Sequence, residues 1–341
     1  MSVSKKHINI PVFIPHLGCP NDCVFCNQRS ISGKMSFDPN SVIDEIESAL
    51  ATIKEGSDVE IAFFGGSFTG IDRSLMIYLL DIAQRYIDAG KVSGIRLSTR
   101  PDYINEEILT ILKRYGVKTV ELGIQSMDDT VLAASKRGHL AECSKIACKA
   151  VKEAGFTLIG QMMIGLPEAN VESEKQTALA ICQMGADGAR VYPTVVFYET
   201  ELCQMSQRGE YEPLDLDDAI YRTKEVLKVF NDNEVPCIRV GLCASENLSS
   251  EESVFGGANH SAIGELAIGE IFYEKMDSAL SERLRNSELP KKPVIYVPVG
   301  CTSKAVGQKR KNIMRLCEKY SIYDVKILEK NSIIGYNILL S

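Results

Sequence analysis

The chain has 341 residues, of which 45% are hydrophobic, enough for a sizeable core and more than one minimal domain. It shows no apolar run long enough to span a membrane and no secretory signal, so we expect neither membrane association nor secretion. Of its eleven cysteines, eight are dispersed singly. Dispersed cysteines are typical of small buried side chains in a reducing compartment, which predicts a cytoplasmic protein.

The formal net charge of −7 is unevenly divided along the chain. Residues 291–341 contain ten Lys or Arg and three acidic residues, whereas residues 1–290 contain 28 basic and 42 acidic residues. A basic segment on an acidic body is typical of a protein with a polyanionic partner. An ordinary solvated, lysine-rich face gives the same pattern, so both interpretations stay open.

The other three cysteines, Cys19, Cys23 and Cys26, lie close together with the spacing C-x₃-C-x₂-C. Three thiolates from one short loop favour zinc, copper(I) or an iron–sulfur cluster over a hard cation. A fourth ligand is missing from the motif. His16 would complete a Cys₃His zinc site, whereas a cubane cluster would keep one iron open.

The predicted elements alternate between strands and helices. Strands are predicted at 8–14, 59–64, 95–99, 118–123, 157–164 and 188–195, and helices near 39–54, 72–89, 105–115, 141–154 and 172–184. Strands separated by helices pair in parallel through right-handed crossovers, and six repeats are too few for an eightfold barrel. The sequence therefore predicts an α/β fold with an open, partial (βα)₆ TIM-like barrel. Functional residues should gather at the carboxyl ends of its strands, where the cysteine loop also lies.

After residue 195 the pattern is less regular. A helix near 215–231 and a strand at 236–242 would extend the sheet by one more unit. The following segment, 243–259, is predicted as a mobile lid bordered by Cys243 and His260. The alternative for this histidine is a capping or packing role.

A C-terminal tail begins near Pro290 and Pro293. It contains a predicted strand at 294–297 and a helix that carries Gln308 to Asn312, followed by strands at 324–329 and 333–340. The sequence thus predicts three parts, which are a barrel at 1–242, a lid with a helical extension at 243–290, and a basic α/β module at 291–341.

Several motifs at the predicted strand ends resemble those of one known family. They are the cysteine loop, Gly65-Gly66-Ser67-Phe68-Thr69, Ser98-Thr99-Arg100-Pro101-Asp102, Glu121 to Ser126, and Lys136-Arg137-Gly138-His139. In this order they resemble the radical S-adenosylmethionine (SAM) domain of the Elongator catalytic subunit and its bacterial relatives of the YhcC and YtqA type. Oxygen-independent coproporphyrinogen oxidases are more distantly similar. The resemblance extends from about Pro11 to Leu242.

The resemblance implies a radical SAM barrel with a [4Fe–4S] cluster and SAM as cofactors. Cys19, Cys23 and Cys26 would hold three irons, and SAM would chelate the fourth. Reductive cleavage of SAM would then give a 5′-deoxyadenosyl radical that abstracts hydrogen from substrate. Phe25 matches the aromatic residue that precedes the last cysteine in this family.

Four residues after the second strand are implied to bind the methionine part of SAM. Gly65 and Gly66 belong to the segment that holds its amino group, and Ser67 or Thr69 would add a hydroxyl. Glycines after a strand also form simple tight turns, so this alternative stays open.

The third and fourth strands carry residues implied to bind the ribose. Family relatives often have a glutamate at the position of Ser98, and the serine here shifts this role to Gln125, whose amide both donates and accepts. Arg100 ends the same strand as Ser98. Glu121 precedes Gln125 on the same face of the strand. Alternatively, Glu121 is a charge that is paired inside the barrel.

The remaining implied cofactor residues are Arg137, Gln161 and Tyr192. The guanidinium of Arg137 suits the methionine carboxylate, with Lys136 as its substitute and a surface arginine as the ordinary alternative. By strand alternation Gln161 points into the barrel if Met162 points out, next to a turn at 165–167 that resembles the family's adenine-side segment. Tyr192 would contact adenine or substrate, or be a buried tyrosine with a satisfied hydroxyl.

Three hypotheses for the function follow. The first is an RNA-modifying enzyme that acts on tRNA and uses the basic tail, and the second is a radical SAM enzyme that acts on a small metabolite. The third is a non-catalytic metal-binding scaffold. Either enzyme would need an electron donor of the flavodoxin or ferredoxin type. The tRNA hypothesis assigns phosphate contacts to Lys304, Lys309, Arg310 and Lys311.

Overall fold

The structure is a computed structural model that describes residues 7–14, 19, 23–27, 37–242 and 253–341. His16, Cys243 and residues 243–252 of the predicted lid lie outside the described residues. The residues implied to bind the cofactors all lie within them.

Seven parallel strands form the main sheet. The first nine strands of the described chain are β1 (His7–Phe13), β2 (Asp58–Phe64), β3 (Gly94–Thr99), β4 (Val117–Gln125), β5 (Thr157–Ile164), β6 (Gly188–Pro193), β7 (Val195–Phe197), β8 (Cys237–Val240) and β9 (Val254–Gly257). The main sheet has the order β1-β2-β3-β4-β5-β6-β8, and each neighbouring pair is parallel. This confirms the partial barrel and its predicted extension by one further strand.

The described chain also forms helices, most of which cover the outer face of this sheet. They are α1 (Ser41–Leu50), α2 (Arg73–Asp88), α3 (Glu106–Arg114), α4 (Asp129–Ala134), α5 (Ala141–Glu153), α6 (Val171–Gln183), α7 (Glu201–Gln207) and α8 (Leu216–Asp232). Local signals fix several helix starts, since the side chains of Asp72 and Asn105 accept backbone N–H groups at the first turns of α2 and α3. The short helices α4 and α7 were not predicted, because so few residues give too little periodicity to recognise.

Strand alternation separates an apolar outer face from a polar inner face. On β4, the side chains of Val120, Leu122 and Ile124 belong to the main hydrophobic core between sheet and helices. The residues that alternate with them are Glu121, Gly123 and Gln125. They face the inside of the barrel, which we call the lumen. The same alternation in the other strands brings polar and charged side chains together in the lumen.

Part of the predicted lid forms a regular element. Strand β9 pairs with β7 in an antiparallel two-stranded sheet, in the register Val195 with Gly257 and Phe197 with Val254. The sequence predicted residues 254–257 as loop, since two glycines in a short segment are typical of a turn. Pairing with a distant strand decides the conformation here.

The α-helices and strands of the C-terminal part are α9 (Ile263–Asn286), β10 (Val294–Val297), α10 (Thr302–Val306), α11 (Lys311–Tyr320), β11 (Lys326–Glu329) and β12 (Leu339–Leu340). Strand β10 pairs in parallel with β11 and antiparallel with β12. The last predicted strand, at 333–340, is thus shorter than expected. In the described chain, no helix has both the length and the apolar composition needed to cross a membrane.

The tail shares its hydrophobic core with α9. One cluster of buried side chains contains residues of both, among them Phe272, Met276, Leu280, Ile295, Val297 and Leu316. The helix therefore contributes to the core of the C-terminal module. The predicted domain boundaries after residues 242 and 290 stay a prediction.

Candidate active site at the carboxyl ends of the strands

The cysteine loop lies against two buried arginines, one after β3 and one after α4. The buried thiol of Cys23 accepts a hydrogen bond from Nη1 of Arg137 at 3.5 Å and one from Nη1 of Arg100 at 4.0 Å. The amide of Cys26 donates to the carbonyl oxygen of Cys23 at 2.9 Å, which closes a turn between two of the three cysteines. The arginines thus place positive charge beside side chains of a metal-binding type.

Cys19 lies near the same two arginines. The pKa of its thiol is raised, because desolvation outweighs the opposing effects of Arg100, Arg137 and the backbone of Ser67. A protonated thiol must lose its proton to bind a metal, so metal binding at Cys19 would release protons. Within the described part of the chain, no three His, Cys, Asp or Glu side chains are grouped as a metal site. The ligand roles of the three loop cysteines therefore stay a prediction.

Backbone and apolar contacts anchor the loop after Cys23. The amide of Val24 donates to the carbonyl oxygen of Ser135 at 3.3 Å. The carbonyl oxygen of Val24 accepts a hydrogen bond from the amide of Leu202 at 2.8 Å. Phe25 packs in a hydrophobic cluster that also contains Val24, Val196, Leu202 and Cys203. This aromatic residue thus secures the loop, and its contact with the cofactor stays a prediction.

Arg100 is held in place by a bidentate ion pair. Its Nε and Nη2 donate to the two carboxylate oxygens of Asp102 at 2.9 and 2.8 Å, and Nη2 also donates to the carbonyl oxygen of Arg137 at 2.6 Å. Burial acts to raise the pKa of Asp102, but the hydrogen bond and charge of Arg100 outweigh it, so this pKa is lowered. The pair fixes the Nη1 atom that faces Cys23.

Arg137 and Gln125 meet at the end of β4. Nη2 of Arg137 donates to the carbonyl oxygen of Gly123 at 2.5 Å. A Cβ at Gly123 would lie 3.0 Å from Nε2 of Gln125 and 3.1 Å from Nη2 of Arg137, so glycine leaves room for both side chains. Gln125 adopts a left-handed backbone with φ of 67°, and its buried Oε1 has no hydrogen-bond partner among the described residues. A strained residue with an unsatisfied polar atom is typical of a ligand-binding position.

The segment after β2 brings the backbone of Gly65 close to that of the chain after β1. A Cβ at Gly65 would lie 3.1 Å from the backbone nitrogen of Ile14, and its φ of 102° also favours glycine. Ser67 and Thr69 are buried, and their hydroxyls hydrogen-bond to the hydroxyl of Thr99 at 2.8 and 2.6 Å. These hydroxyls join β3 to the segment, and their predicted contact with SAM would compete with these bonds.

A network of charged groups crosses the lumen. Glu121 is fully buried, and its Oε1 accepts hydrogen bonds from Arg96 and Arg190, both at 2.9 Å. Its Oε2 accepts one from Gln161 at 2.7 Å, and Arg96 also donates to Glu60 at 3.0 Å. Of the two interpretations of Glu121, the structure supports the charge paired inside the barrel.

The other predicted lumen residues lie beside this network. Nε2 of Gln161 donates to the hydroxyl of Ser98 at 3.2 Å, so both face inward, as strand alternation predicts. Tyr192 is partly buried, and its pKa is raised by desolvation, against the lowering effect of Arg190. Its hydroxyl therefore stays neutral and can donate a hydrogen bond.

Sequence reasoning missed Asp102, Arg96 and Glu60 as parts of this site. Asp102 lies two residues after Arg100, in a motif that was recognised, and this short spacing is a signal for the ion pair. Arg96 and Glu60 are charged residues flanked by apolar residues within their strands. Such positions indicate a polar interior, but the sequence does not show which charges pair across strands.

The basic residues of the tail line a cleft between α9 and α11. The cleft has a volume of about 390 Å³, and its lining includes Lys304, Lys309, Arg310, Lys311, Glu265 and Glu270. Lys309 and Arg310 adopt left-handed backbones with φ of 50° and 62° just before α11 begins. The residues predicted to contact phosphates are thus neighbours in space, although two acidic side chains share the cleft.

Several tail cations pair with acidic residues of α9. Arg315 contacts Glu270 at 2.7 Å, and Lys319 contacts Asp277 at 2.7 Å. The guanidinium of Arg315 also lies 3.5 Å from the ring centroid of Tyr273. Part of the charge asymmetry read from the sequence therefore serves the packing of the tail on α9.

Comparisons with known proteins agree with this fold. A partial parallel barrel with a cysteine loop after its first strand is typical of one class of enzymes, the Radical SAM superfamily, which matches residues 13–181. The radical SAM C-terminal domain matches residues 186–272. The chain belongs to the Radical SAM superfamily and is an enzyme of that superfamily, so the hypothesis of a non-catalytic scaffold is set aside.

The relatives include tRNA-modifying and Elongator proteins. The chain is 33% identical over 159 residues to a tRNA uridine(34) acetyltransferase of Methanocaldococcus jannaschii. This alignment covers 45% of this chain and 29% of that protein. The chain is also 25% identical over 252 residues to Elongator complex protein 3 of Schizosaccharomyces pombe. That alignment covers 61% of this chain and 46% of that protein. The chain thus spans less than half of the length of both relatives.

A solved structure supports the fold. The archaeal Elp3 of Methanocaldococcus infernus superposes with a TM-score of 0.61 and 21% identity, over 80% of this chain and 68% of that chain. At this identity the likeness concerns the fold alone.

Proposed function

We propose that the chain uses a [4Fe–4S] cluster held by Cys19, Cys23 and Cys26 to cleave SAM reductively and to modify RNA, with tRNA as substrate. The observation that carries this proposal is the Cys23 thiol at the carboxyl end of the barrel, between the guanidinium groups of Arg100 and Arg137. Thiol donors of one loop fit an iron–sulfur group by their chemistry. When bound, this group supplies the electron that cleaves SAM to the 5′-deoxyadenosyl radical, which abstracts hydrogen from substrate.

The protein side chains orient the cofactors in this proposal. Hydrogen bonds from Arg100 and Arg137 to a ligand sulfur stabilise added negative charge, which favours reduction of the group held there. The Oε1 of Gln125 and the close approach at Gly123 suit a bound ribose hydroxyl. Both Nη atoms of Arg137 already contact the protein, so binding the methionine carboxylate requires exchange of one of these contacts.

The RNA substrate rests on two supports. The relatives include a protein named tRNA uridine(34) acetyltransferase, and the basic residues Lys304 and Lys309 to Lys311 line one cleft. An electron donor of the flavodoxin or ferredoxin type belongs to the same proposal. The aligned relatives are longer than this chain, and acetyl transfer is not part of the proposal.

A small metabolite is the second candidate substrate. It is favoured by the internal ion pairs of the tail, which account for part of the basic charge without any nucleic acid. Products formed from total tRNA and from a metabolite extract, under the same anaerobic conditions, distinguish the two candidates.

Anaerobic reconstitution with iron, sulfide, SAM and a reductant tests the cofactor proposal. We expect brown colour and 5′-deoxyadenosine from the wild-type protein, and loss of both in Cys19→Ala, Cys23→Ala and Cys26→Ala. Cys301→Ala changes a partly buried cysteine of the tail and is the matched control, which should keep both. A loop variant that retains colour and SAM cleavage contradicts the proposal.

A further inference from the structure

The tail presents an aromatic side chain to solvent. Tyr323 has an exposed fraction of 84%, whereas three other exposed tyrosines, Tyr78, Tyr198 and Tyr221, have fractions of 40%, 42% and 48%. A tyrosine usually buries the apolar body of its ring and leaves its polar tip in water. The ring of Tyr323 is therefore accessible to a molecule outside the chain.

The backbone that carries this ring is held in place by the core of the tail. The residues Ile322 and Val325 on either side of Tyr323 and Asp324 are buried in that core. The amide of Ile322 donates to the carbonyl oxygen of Cys317 at 3.2 Å, and the amide of Tyr323 donates to the carbonyl oxygen of Lys291 at 2.8 Å. A side chain presented from a fixed backbone loses little conformational entropy when a ligand binds to it.

Basic residues of other segments lie beside Tyr323. Asp324, the next residue, contacts Nζ of Lys292 at 3.0 Å and Nη2 of Arg310 at 2.8 Å. The side chains of these two cations are 52% and 58% exposed. Because two cations share one carboxylate, this group keeps a positive charge at the surface next to the exposed ring.

Arg310 connects this group to the cleft between α9 and α11. It lines the cleft together with Lys304 and Lys309, to which the proposed function assigns phosphate contacts. Proteins that bind single-stranded nucleic acid combine a basic groove for the backbone with aromatic side chains on which bases stack. A basic cleft with Tyr323 on the other side of Arg310 has both parts of this arrangement.

We propose that Tyr323 stacks on an unpaired base of the RNA substrate, while the cations beside it contact the RNA backbone. Bases within a double helix are stacked between their neighbours, so the RNA should bind through a loop or an end, where bases can turn outward. The positive charge around the ring favours a polyanion over a protein as the partner. This inference rests on the proposed function, since it identifies the part of the RNA that the tail recognises.

Binding measurements on the reconstituted protein test this inference. The probes are an oligoadenylate and an inorganic polyphosphate with the same number of phosphates, which carries the charge without the bases. Tyr323→Ala should weaken the binding of oligoadenylate about tenfold, as the loss of one base stacked on an aromatic side chain implies. Tyr323→Phe keeps the ring and should bind like the wild type. An unchanged affinity in Tyr323→Ala overturns the inference, and so does an equal loss of affinity for polyphosphate.

The absence of tryptophan from the sequence allows stacking to be observed directly. Tyr323→Trp introduces a single fluorophore, and we expect oligoadenylate to quench its emission much more strongly than an RNA duplex of the same charge. Tyr78→Trp, which changes an exposed tyrosine of α2, is the matched control and should keep its emission with both probes. Emission of Tyr323→Trp that does not respond to oligoadenylate contradicts the inference.

Failure of this inference can be distinguished from failure of the proposed function. If the wild type binds neither tRNA nor oligoadenylate, the RNA substrate is refuted and the inference falls with it. If RNA binds equally well to the wild type and to Tyr323→Ala, only the inference is overturned, and the exposed ring is left to a protein partner.

Discussion

At the scale of single residues, the arginines beside the cysteine loop depend on partners that fix their geometry. Asp102 holds the Nε and Nη2 of Arg100, which leaves Nη1 to face Cys23. Without this partner the guanidinium would be a buried charge with no counter-ion. Asp102 is therefore a positioning residue that acts through Arg100.

We predict that Asp102→Asn lowers the free energy of unfolding at pH 7 by about 2 kcal/mol, because a buried arginine loses its charged partner. The pKa of Asp102 is lowered in the folded protein, so its stabilisation is fully present above the ordinary value of 3.8 and is lost as the pH falls through the lower folded value. The difference in stability between wild type and variant should therefore shrink below about pH 4.

Denaturant unfolding over the acid and neutral pH range measures this effect. Glu210→Gln is the control, since Glu210 pairs with Arg208 on the exposed surface, where ion pairs contribute little. A stability difference for Asp102→Asn that stays constant with pH would show that Asp102 acts through packing and not through its charge.

At the scale of elements, contacts from the helices set the loops that carry the site. The turn after β5 is fixed from α6, where the buried carboxylate of Glu174 accepts the amide of Gly165 at 2.7 Å and Nη1 of Arg222 at 2.9 Å. Helix α6 itself begins with a capping box, in which the side chains of Asn170 and Ser173 each accept the other's backbone amide. Such caps satisfy N–H groups that have no partner within the helix.

We predict that Asn170→Ala costs about 1 kcal/mol of folding free energy, because an amide at the start of α6 loses its acceptor. Asn40→Ala is the matched control, since Asn40 stands at the same position of α1 without a side-chain cap bond. Denaturant unfolding of both variants measures the difference. Equal losses would indicate that the capping bond contributes nothing at this helix.

At the scale of the whole molecule, the basic tail is the feature that bears most directly on the substrate. Its cations fall into two groups. Arg310 contacts Asp324 at 2.8 Å, whereas Lys304 and Lys309 form no ion pair among the residues that the structure describes. The second group could therefore contact phosphates without the loss of an ion pair among the described residues.

We predict that tRNA binding weakens steeply with salt, and that neutralising Lys309, Arg310 and Lys311 together to Gln weakens it further. Each lost phosphate contact should reduce the slope of log affinity against log salt by about 0.7 to 0.9. Filter binding or fluorescence anisotropy at several salt concentrations measures the slope.

The control for this triple variant removes the same charge elsewhere. Three exposed or partly exposed lysines of α5 and α6 serve this purpose, changed together to Gln at Lys145, Lys149 and Lys175. If both triple variants lose the same affinity, net charge alone explains the binding. Binding that does not respond to salt contradicts the tRNA hypothesis and leaves the metabolite.

The sequence by itself determined the order of strands and helices, the cysteine loop and the strand ends that carry the candidate residues. It did so because periodicity, caps and short motifs are local, and parallel strands can close in few ways. It left two interpretations of Glu121 open, namely a residue that acts on the face of Gln125 and a charge that is paired inside the barrel.

The tertiary structure alone decided which charges meet. Glu121 pairs with Arg96 and Arg190 from other strands, and the tail cations pair with α9, because ion pairs depend on distance in space and not on spacing along the chain. The same reason applies at the cysteine loop. Its spacing indicates a soft metal, whereas the two arginines around Cys23 become neighbours only when β3 and α4 are folded beside it.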